Sequence, residues 1–460
     1  MSLIKSISGI RGTIGGKVNE NLTPLDVVKF TSAFGTWLQN NKNKKDLTLV
    51  VGRDARISGA MVNSLVTATL QGLGINVVDL GLSTTPTVEV MVPELNADGG
   101  IILTASHNPK QWNALKLLND KGEFISGENG AEVLTLAENE DFNYAEVDDL
   151  GRYETRDDAF DIHIQKILDL PMVDAEAIKS KKFKVVVDAV NSTGGIAIPR
   201  LLEELGCEVV KLYCKPNGQF PHNPEPLKEH LGDICELVKK ENADLGIVVD
   251  PDVDRLALVD ENGELFGEEY TLVAVADYLL KNKKGAAISN LSSSRALRDV
   301  ARNLDSEYFA SAVGEVNVVT LMKEKNAVIG GEGNGGIIYP DLHYGRDSLV
   351  GVALFLTHLA KENKSVSELR ATYPSYFMGK KKIELTPDID VDALLTKMEK
   401  EYLNEEISTV DGVKIDFEKN WVHLRKSNTE PIIRIYTEAF SQEEADQLGD
   451  QMIEKIKSLV

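Results

Sequence analysis

Short apolar runs alternate with longer amphipathic stretches along most of this chain. The apolar run 47–51 predicts a buried strand, the stretch after it predicts a helix that ends near Leu70, and 76–80 predicts a second strand. A strand, a helix and a strand in that order form a βαβ unit. An earlier helix is predicted over 23–37, because Thr23 suits its N-cap and a proline follows at the first helical position. Before this helix, the segment 6–13 is a short apolar alternation that is predicted to open into a glycine-rich turn carrying Arg11.

The same order of elements occurs twice more. A strand at 184–189, a helix over 201–205 and a strand at 208–212 form the second copy. A weaker third copy has a strand at 285–289 and a helix over 295–302. Recurrence at intervals of roughly 100 residues predicts tandem α/β domains, since each unit is large enough for its own sheet and core.

After residue 374 the pattern changes to strands and helices in mixed order, which is typical of a smaller α+β domain. The predicted elements there are strands at 380–385, 412–417 and 421–424, a helix over 391–402 and a closing helix from Ser441. A chain of 460 residues also exceeds what one hydrophobic core usually supports. The predicted fold class is therefore three tandem α/β domains plus a smaller α+β C-terminal domain, with bounds 1–150, 151–260, 261–374 and 375–460.

Composition narrows the class of protein. The chain has no apolar run long enough to span a membrane and no signal-peptide core at its start, so a cytoplasmic protein is expected. Three cysteines without a Cys-x-x-Cys pair support neither a disulfide framework nor a zinc site. The formal charge of −22 disfavours nucleic acids and anionic membranes as partners. Because the net negative charge would repel an anionic ligand, the binding site for such a ligand would need clustered Lys and Arg residues.

The first candidate site is the segment 104–109, Thr-Ala-Ser-His-Asn-Pro, which follows the apolar run 99–103. Small residues, a Ser-His pair and then Asn-Pro predict a tight turn that holds Ser106 exposed at the edge of a sheet. An ordinary surface turn has the same composition. A nucleophile or phosphoryl carrier needs such a presented hydroxyl.

The second candidate site is the segment 250–255, Asp-Pro-Asp-Val-Asp-Arg, directly after the apolar strand 245–249. Three carboxylates at alternate positions repel one another unless a cation lies among them. Oxygen ligands suit Mg²⁺, and α/β proteins place their sites at the carboxyl ends of strands. A solvated acidic turn is the alternative.

Two further loops carry polar groups suited to a sugar phosphate. The segment 330–336 is rich in glycine and carries Glu332 and Asn334, which could bond hydroxyl groups. It lacks a phosphate-loop lysine, so a nucleotide site is not indicated. The segment 425–431 combines cations, hydroxyls and an amide, as a phosphate site requires. A flexible turn and a capped surface turn would explain these two segments taken singly.

These four loops together resemble the α-D-phosphohexomutase family, which includes phosphoglucomutases, phosphomannomutases and phosphoglucosamine mutases. Segment 104–109 is similar to the family's phosphoserine loop, 250–255 to its Asp-x-Asp-x-Asp-Arg metal loop, and 425–431 to its distal-phosphate loop. The resemblance extends over essentially the whole chain. It implies four domains around one central cleft, three of them α/β and the last smaller.

The resemblance also assigns roles to residues of this chain. It implies that Ser106 carries the phosphoryl group and that Mg²⁺ is held by Ser106, Asp250, Asp252 and Asp254. The residues implied in proton transfer and charge stabilisation are Arg11, His107 and Lys116. The residues implied in binding the substrate are Arg255, Glu332, Asn334, Arg425, Ser427, Asn428, Thr429 and Arg434.

The implied activity is reversible transfer of phosphate between the 6 and 1 positions of a hexose phosphate, with Mg²⁺ and a hexose 1,6-bisphosphate intermediate or activator. Segment 113–116 has Ala114 where the family has glycine, so a local turn of different geometry is expected. Segment 330–336 ends in Gly336 where many bacterial members have histidine, and it has Asn334 where they often have serine. This version resembles archaeal-type members, which implies glucosamine 6-phosphate as the substrate.

Three alternatives stay open on the sequence alone. One is a phosphomannomutase/phosphoglucomutase of dual specificity. Another is a non-catalytic sugar-phosphate sensor, against which the intact set of Ser106, three aspartates and Lys116 argues. The third is a Mg²⁺-dependent phosphatase. The oligomeric state and the first phosphorylation of Ser106 are left open.

Overall fold

The computed structural model of the protein describes residues 2–6, 9–42, 44–384, 389–426 and 432–459. The strands in those residues are β1 (Ile4–Ser6), β2 (Gly9–Thr13), β3 (Thr48–Arg53), β4 (Asn76–Leu82), β5 (Gly99–Leu103), β6 (Trp112–Leu118), β7 (Tyr153–Thr155), β8 (Lys184–Asp188), β9 (Glu208–Leu212), β10 (Leu245–Val249), β11 (Leu256–Val259), β12 (Ala287–Asn290), β13 (Tyr308–Ser311), β14 (Ile329–Glu332), β15 (Gly336–Ile338), β16 (Phe377–Glu384), β17 (Glu406–Ser408), β18 (Val413–Asp416), β19 (Trp421–Lys426) and β20 (Ile432–Ala439).

The α-helices of the same residues are α1 (Pro24–Asn41), α2 (Gly59–Gly72), α3 (Thr85–Glu94), α4 (Gly127–Asn139), α5 (Ala159–Leu168), α6 (Ala175–Lys181), α7 (Gly194–Glu204), α8 (Gly232–Glu241), α9 (Glu268–Asn282), α10 (Ala296–Asn303), α11 (Glu315–Lys325), α12 (Ser348–Glu362), α13 (Val366–Arg370), α14 (Val391–Glu401) and α15 (Gln442–Leu459). Two short 3-10 helices lie at Val147–Asp149 and Lys228–His230. The chain divides into two compact units. One comprises Met1–Thr271 and Asn334–Leu369, and the other comprises Leu272–Gly333 and Arg370–Val460.

The first unit contains a seven-stranded sheet in the order β1-β2-β6-β5-β3-β4-β7. Its centre is parallel, because β3 pairs in parallel with both β4 and β5. Leu49 and Val51 of β3 pack in one buried cluster with α1, α2 and α4, whereas Val50 packs in another with α3. Alternate residues of a strand face opposite sides, so helices cover both faces of this sheet.

A second sheet of the first unit has the order β11-β10-β8-β9. Strands β10 and β9 pair in parallel with β8, and β11 pairs antiparallel with β10. Apolar side chains of α8 and of these strands, among them Ile234, Val238 and Val248, form its core. The loop 250–255 follows β10 directly, so it lies at the carboxyl end of a strand that is buried along its whole length.

The second unit contains two sheets. Strand β12 pairs in parallel with β13 and with β14. The other sheet has the order β16-β20-β19-β18-β17 and is antiparallel in the pairs described. Apolar residues of α14, α15 and this sheet, such as Met398, Ile415 and Ile456, form its core. Parallel α/β sheets followed by an antiparallel sheet with helices confirm the predicted fold class, whereas the four domain bounds stay a prediction.

Most predicted elements occur with small shifts of their ends. Helix α1 has Thr23 as its N-cap, as predicted, and its capping box is completed by Asp26. The helix continues to Asn41, four residues beyond the predicted end. Strands β5, β9 and β10 have the predicted bounds.

Three local predictions were wrong. The glycine-rich segment around Arg11 is strand β2 rather than a turn, because it pairs antiparallel with β6. Segment 113–116 also lies inside a strand, β6, so no turn occurs there and Ala114 fits the ladder as any L-residue would. Glu332 is the last residue of β14 rather than a loop residue.

Candidate active site

Ser106 lies on the turn that follows β5. Its backbone is in the left-handed region, with φ of 48°, and its N–H donates to Thr104 Oγ1 over 2.9 Å. The prediction of an exposed hydroxyl was wrong, because Ser106 is only 7% exposed. Its Oγ donates instead to Asp250 Oδ2 over 2.8 Å, across 144 positions of sequence. The turn therefore aims the hydroxyl at the acidic loop.

Arg56 holds this turn in place, although sequence reasoning gave it no role. Its side chain is fully buried, and its Nε donates to Asp54 Oδ2 over 2.9 Å. Strands β3 and β5 are parallel neighbours, so the segments that follow them meet at one edge of the sheet. The remaining guanidinium nitrogens donate to main-chain carbonyl oxygens of Ser106, Asn108, Pro109 and Trp112.

The Asp54 carboxylate completes this support. Burial raises its pKa, and the charge of Arg56 acts in the opposite direction. It also accepts from Thr104 Oγ1 over 2.7 Å, and Thr104 in turn binds the N–H of Ser106. The buried Arg56–Asp54 charge pair and these hydrogen bonds hold the turn more rigidly than a turn on the protein surface would be held. The Arg-Asp-x-Arg sequence directly after a buried strand was the available signal.

The acidic loop after β10 presents three wholly buried carboxylates, Asp250, Asp252 and Asp254. Asp250 Oδ1 accepts from the backbone N–H groups of Asp254 and Arg255, each over 3.1 Å. Val253 has a φ of 66°, which turns the chain between the second and third aspartates. One oxygen from each aspartate lies within 4.8 Å of the others. The structure thus brings the three predicted ligands and Ser106 together.

Two cations balance these carboxylates. Lys116 Nζ lies 2.8 Å from Asp252 Oδ2 and 3.6 Å from Asp254 Oδ2. Arg346, which sequence reasoning missed, donates to Asp254 Oδ2 over 2.7 Å. Thr85 Oγ1 also donates to Asp252 Oδ2, over 2.7 Å.

The pKa shifts follow from this arrangement. Burial, and then the charges of Asp254 and Asp252, raise the pKa of Asp250 well above its usual range. Burial alone would raise the pKa of Asp252 too, but the ammonium group of Lys116 lowers it well below that range. Burial opposes the charge of Lys116, yet both aspartates raise its pKa. Lys116 is therefore a fixed positive charge at neutral pH.

The residues present fit a divalent metal ion. Asp252 Oδ1 and Asp254 Oδ1 are buried and have no hydrogen-bond partner within the described part of the chain. Unpartnered buried oxygens are costly, and a cation would satisfy them. An all-oxygen set of this kind suits Mg²⁺ rather than a softer ion.

His107 and Arg11 lie at the same site. His107 Nδ1 is 3.4 Å from Ser106 Oγ. Burial, and then the positive charge of Arg255, lower the pKa of His107 to about 2, so the ring is neutral at physiological pH. Burial and the charge of Arg255 also lower the pKa of Arg11, which lies opposite Ala114 in the β2–β6 ladder. Arg255 pairs with Glu225 over 2.8 Å.

The remaining predicted residues are divided between the units. In the first unit, Asn334 Oδ1 accepts from the N–H of Gly336 over 3.1 Å. In the second, Glu332 is buried and accepts from Asn290 Nδ2 over 2.9 Å.

Two arginines of the second unit are brought together. Arg425 of β19 and Arg434 of β20 are directly opposite in register, and Arg425 Nε lies 2.8 Å from Asp411 Oδ2. The predicted Ser427, Asn428 and Thr429 lie outside the described residues. Across the part of the chain that is described, no helix has the length and hydrophobicity needed to cross a membrane.

Comparison with known proteins assigns most of the chain. Four family models match in order: phosphoglucomutase/phosphomannomutase alpha/beta/alpha domain I at residues 4–144, domain II at 161–263, domain III at 267–376 and the C-terminal domain at 380–455.

Individual relatives match the chain over nearly its full length and carry names from the same family. A phosphoglucomutase/phosphomannomutase of Thermococcus kodakarensis is 38% identical over 96% of this chain and 98% of its own. A phosphoglucosamine/phosphogalactosamine mutase of Sulfurisphaera tokodaii is 34% identical over 98% of each. The crystal structure of a phosphoglucomutase/phosphomannomutase family protein from Burkholderia thailandensis superposes with a TM-score of 0.86 at 26% identity, over 99% of this chain and 98% of that one. The family predicted from the four loops is confirmed: this chain belongs to the phosphoglucomutase/phosphomannomutase family of phosphohexomutases.

Proposed function

We propose that this chain transfers a phosphoryl group reversibly between the 6 and 1 positions of a hexose phosphate, through phosphorylated Ser106 and a hexose 1,6-bisphosphate. The observation that carries the proposal is the position of Ser106 Oγ, 2.8 Å from Asp250 and beside two further buried carboxylates. A hydroxyl to carry the group, ligands for a divalent ion and fixed cations are what phosphoryl transfer requires.

In the proposed transfer, each bond that forms is matched by one that breaks, and the proton that is released is taken up again. The bond from phosphorus to Ser106 Oγ breaks as phosphorus bonds to the free hydroxyl oxygen of the sugar phosphate. The proton of that hydroxyl passes to a neutral base and then to Ser106 Oγ. His107 Nδ1 lies 3.4 Å from that oxygen, so the position of the ring fits the relay. In the second half of the cycle, the other phosphate of the bisphosphate returns to Ser106.

The charged groups of the site are proposed to neutralise the negative charge of the phosphoryl group. Lys116 stays protonated and therefore stabilises negative charge rather than acting as a base. Bound by Asp250, Asp252 and Asp254, Mg²⁺ would supply further neutralisation of the phosphoryl oxygens. Arg11 and Arg255 add positive charge close to His107.

The bisphosphate must present each of its phosphates to Ser106 in turn, so the distal phosphate needs a separate site. Arg425 and Arg434 suit that role, because directly opposite residues of paired strands project from the same face, where two guanidinium groups can donate to one phosphate. Ser427, Asn428 and Thr429 belong to the same proposed phosphate site. Glu332 and Asn334 are proposed to bond the ring hydroxyls.

We propose glucosamine 6-phosphate as the preferred substrate. The glycine-rich segment 330–336 resembles archaeal-type members, and one relative is named a phosphoglucosamine/phosphogalactosamine mutase. The second candidate is a phosphomannomutase/phosphoglucomutase, which the name of the relative at 38% identity favours. Both candidates use the same chemistry and differ in the sugar.

The deciding experiment follows the products by phosphorus NMR. Purified protein is incubated with Mg²⁺, a trace of hexose 1,6-bisphosphate and, in turn, the 6-phosphates of glucosamine, glucose and mannose. A new 1-phosphate signal identifies the mutase, and the fastest conversion identifies the sugar. Faster conversion of glucose or mannose 6-phosphate would reject glucosamine and support the second candidate.

Two controls separate the mutase from the other classes. Ser106→Ala should lose both conversion and the phosphoryl group that mass spectrometry finds on the Ser106 peptide. Net release of inorganic phosphate would identify a phosphatase instead. Binding of a sugar phosphate with no conversion and no phosphorylated peptide would identify a sensor.

A further inference from the structure

A second group of potential metal ligands lies in the first unit and shares no residue with the acidic loop. His163 belongs to α5, Asp347 is the N-cap of α12, and His343 lies in the segment that leads to it. The side chains of His163 and Asp347 are wholly buried, and that of His343 is 8% exposed. One ligand atom from each lies within 4.8 Å of the others.

Two edges of this triangle are hydrogen bonds whose lengths are close to those between the ligands of a metal ion. His163 Nε2 and His343 Nε2 lie 2.9 Å and 3.3 Å from the same oxygen, Asp347 Oδ2. Atoms bound tetrahedrally to zinc at about 2.0–2.1 Å are about 3.3 Å apart. Both imidazoles present Nε2, and one oxygen faces both rings, so the three atoms enclose a single position.

His163 and Asp347 are also held from behind by hydrogen bonds, as metal ligands usually are. His163 Nδ1 lies 3.0 Å from Thr87 Oγ1, and His343 Nδ1 lies 3.5 Å from Glu89 Oε2. Asp347 Oδ1 accepts from the N–H of Leu349 over 2.8 Å as the cap of α12, which leaves Oδ2 turned toward the rings.

The loop that carries His343 is shaped for this approach. A Cβ on Gly345 would lie 1.9 Å from Glu89 Oε2, so a larger residue there would require the Glu89 side chain to move away from His343. The His343 ring therefore lies between two carboxylates, that of Glu89 on its Nδ1 side and that of Asp347 on its Nε2 side. That order is the one found where a carboxylate orients a metal-bound histidine.

We propose that His163 Nε2, His343 Nε2 and Asp347 Oδ2 bind one divalent transition-metal ion of the zinc class, with a fourth position open to water. Imidazole ligands favour zinc and related ions, whereas Mg²⁺ prefers oxygen. This chain would then hold two chemically different metal sites, with Mg²⁺ at the acidic loop. The few cysteines of the chain gave no indication of the second one.

Binding requires only local proton movement. A neutral imidazole that carries its proton on Nε2 moves it to Nδ1, and Thr87 Oγ1 can accept from His163 there. Thr87 can make this change because its hydroxyl also contacts Thr84 Oγ1, over 2.6 Å. Glu89 Oε2 lies 3.5 Å from His343 Nδ1 and would be the charge partner of a proton placed there.

The site would fix α5, α3 and the start of α12 to one another. It would also fix Arg346, which directly precedes Asp347 and donates to Asp254 of the acidic loop. The proposed ion is therefore a structural one that positions a neighbour of the proposed active site rather than a participant in transfer.

The test uses the full chain after dialysis against a chelator, in millimolar Mg²⁺ so that the oxygen site is occupied. Zn²⁺ is titrated by calorimetry, bound zinc is counted by plasma mass spectrometry, and Co²⁺ serves as a visible probe of the ligand set. We expect one equivalent of Zn²⁺ per chain and a Co²⁺ absorption band of histidine and carboxylate ligation. His163→Gln and His343→Gln should lose the stoichiometric ion.

Two further variants keep the result decisive. Thr87→Val keeps all three ligands and should weaken Zn²⁺ binding by about 10- to 100-fold with unchanged stoichiometry, which decides the question if either histidine variant fails to fold. His230→Gln, in the short helix Lys228–His230, is the matched control and should bind as the wild type does. Substoichiometric binding by the wild type, or a full equivalent in both ligand variants, would overturn the proposal.

Discussion

Lys116 Nζ lies 2.8 Å from Asp252 Oδ2, and the two side chains are 9% and 0% exposed. Removing one partner of such a pair leaves a buried charge uncompensated, which costs roughly 3–5 kcal/mol. Lys116→Met should therefore lower the free energy of unfolding by that amount in Mg²⁺-free buffer. Mg²⁺ should raise the unfolding midpoint of the variant more than that of the wild type, because the ion replaces the lost positive charge.

The measurement is thermal unfolding of both proteins with and without Mg²⁺, together with the rate of conversion. Lys116→Arg keeps the charge and serves as the control for stability. The proposed charge-stabilising role also predicts a fall in kcat for Lys116→Met even where Mg²⁺ restores the fold. Equal midpoints for variant and wild type in both buffers would contradict the account of this pair.

Ser106 has a φ of 48°, and this left-handed backbone predicts an unusual order of stability among its variants. Ala usually stabilises a protein relative to Gly, because Gly has more freedom to lose on folding. At positive φ the Cβ costs roughly 1–2 kcal/mol. Ser106→Gly should therefore unfold at higher denaturant concentration than Ser106→Ala, although both lose the bond to Asp250 and both lose activity. The reverse order in urea unfolding would show that the turn is not left-handed in solution.

Arg56 binds four carbonyl oxygens of the Ser106 turn. It is therefore predicted to affect the reaction only by holding Ser106 in the correct position. Lysine keeps the charge but cannot reproduce the planar set of donors. Arg56→Lys should lower kcat by about 100-fold, the size of effect expected from a small misplacement of reacting groups. KM should change much less, because the proposed substrate-binding residues are untouched.

Steady-state kinetics of the Arg56→Lys protein tests this, with Arg200→Lys on the exposed face of α7 as the matched control. Phosphate occupancy of the Ser106 peptide gives a second readout. A variant with wild-type kcat and normal occupancy would show that the turn does not depend on Arg56.

The elements around the site were predictable because each is a local pattern. An apolar run buried along its whole length identifies β5 and β10 whatever the rest of the chain does. The loops after them were placed correctly at strand ends for the same reason. Ser106 and the three aspartates could therefore be found from sequence.

The contacts that define the site are not local. Ser106 and Asp250 are 144 positions apart, Lys116 and Asp252 136, and Arg346 and Asp254 92. The pattern of apolar and polar residues does not indicate which distant cation will pair with which carboxylate. For this reason Arg346 was missed. Ser106 was expected at the surface because its burial also depends on distant parts of the chain. Arg11 and Ala114 were assigned to turns because the glycine and small residues around them favour turns when only neighbouring residues are considered. In the structure the two residues are paired in one β-ladder.

His423 predicts a pH-dependent stability of the C-terminal part of the second unit. Its Nε2 donates to the carbonyl oxygen of Asp411 over 2.6 Å, and its Nδ1 lies 2.9 Å from Ser292 Oγ. Burial lowers its pKa to about 4, and the charges of Lys414 and Arg425 act in the same direction. The folded state therefore keeps the ring neutral, while the unfolded chain binds a proton below its ordinary pKa of about 6.5.

Because the unfolded state binds more protons in that interval, the free energy of unfolding should fall as the pH drops from about 6.5 to about 4, by roughly 3 kcal/mol in total. Hydrogen exchange of β19 and β20, corrected for the intrinsic effect of pH, measures this loss. His423→Gln keeps a donor toward Asp411 and should flatten the profile. Ser292→Ala should flatten it in part, because it removes a hydrogen bond that favours the neutral ring. An unchanged slope in both variants would assign the acid sensitivity of these strands to groups other than His423.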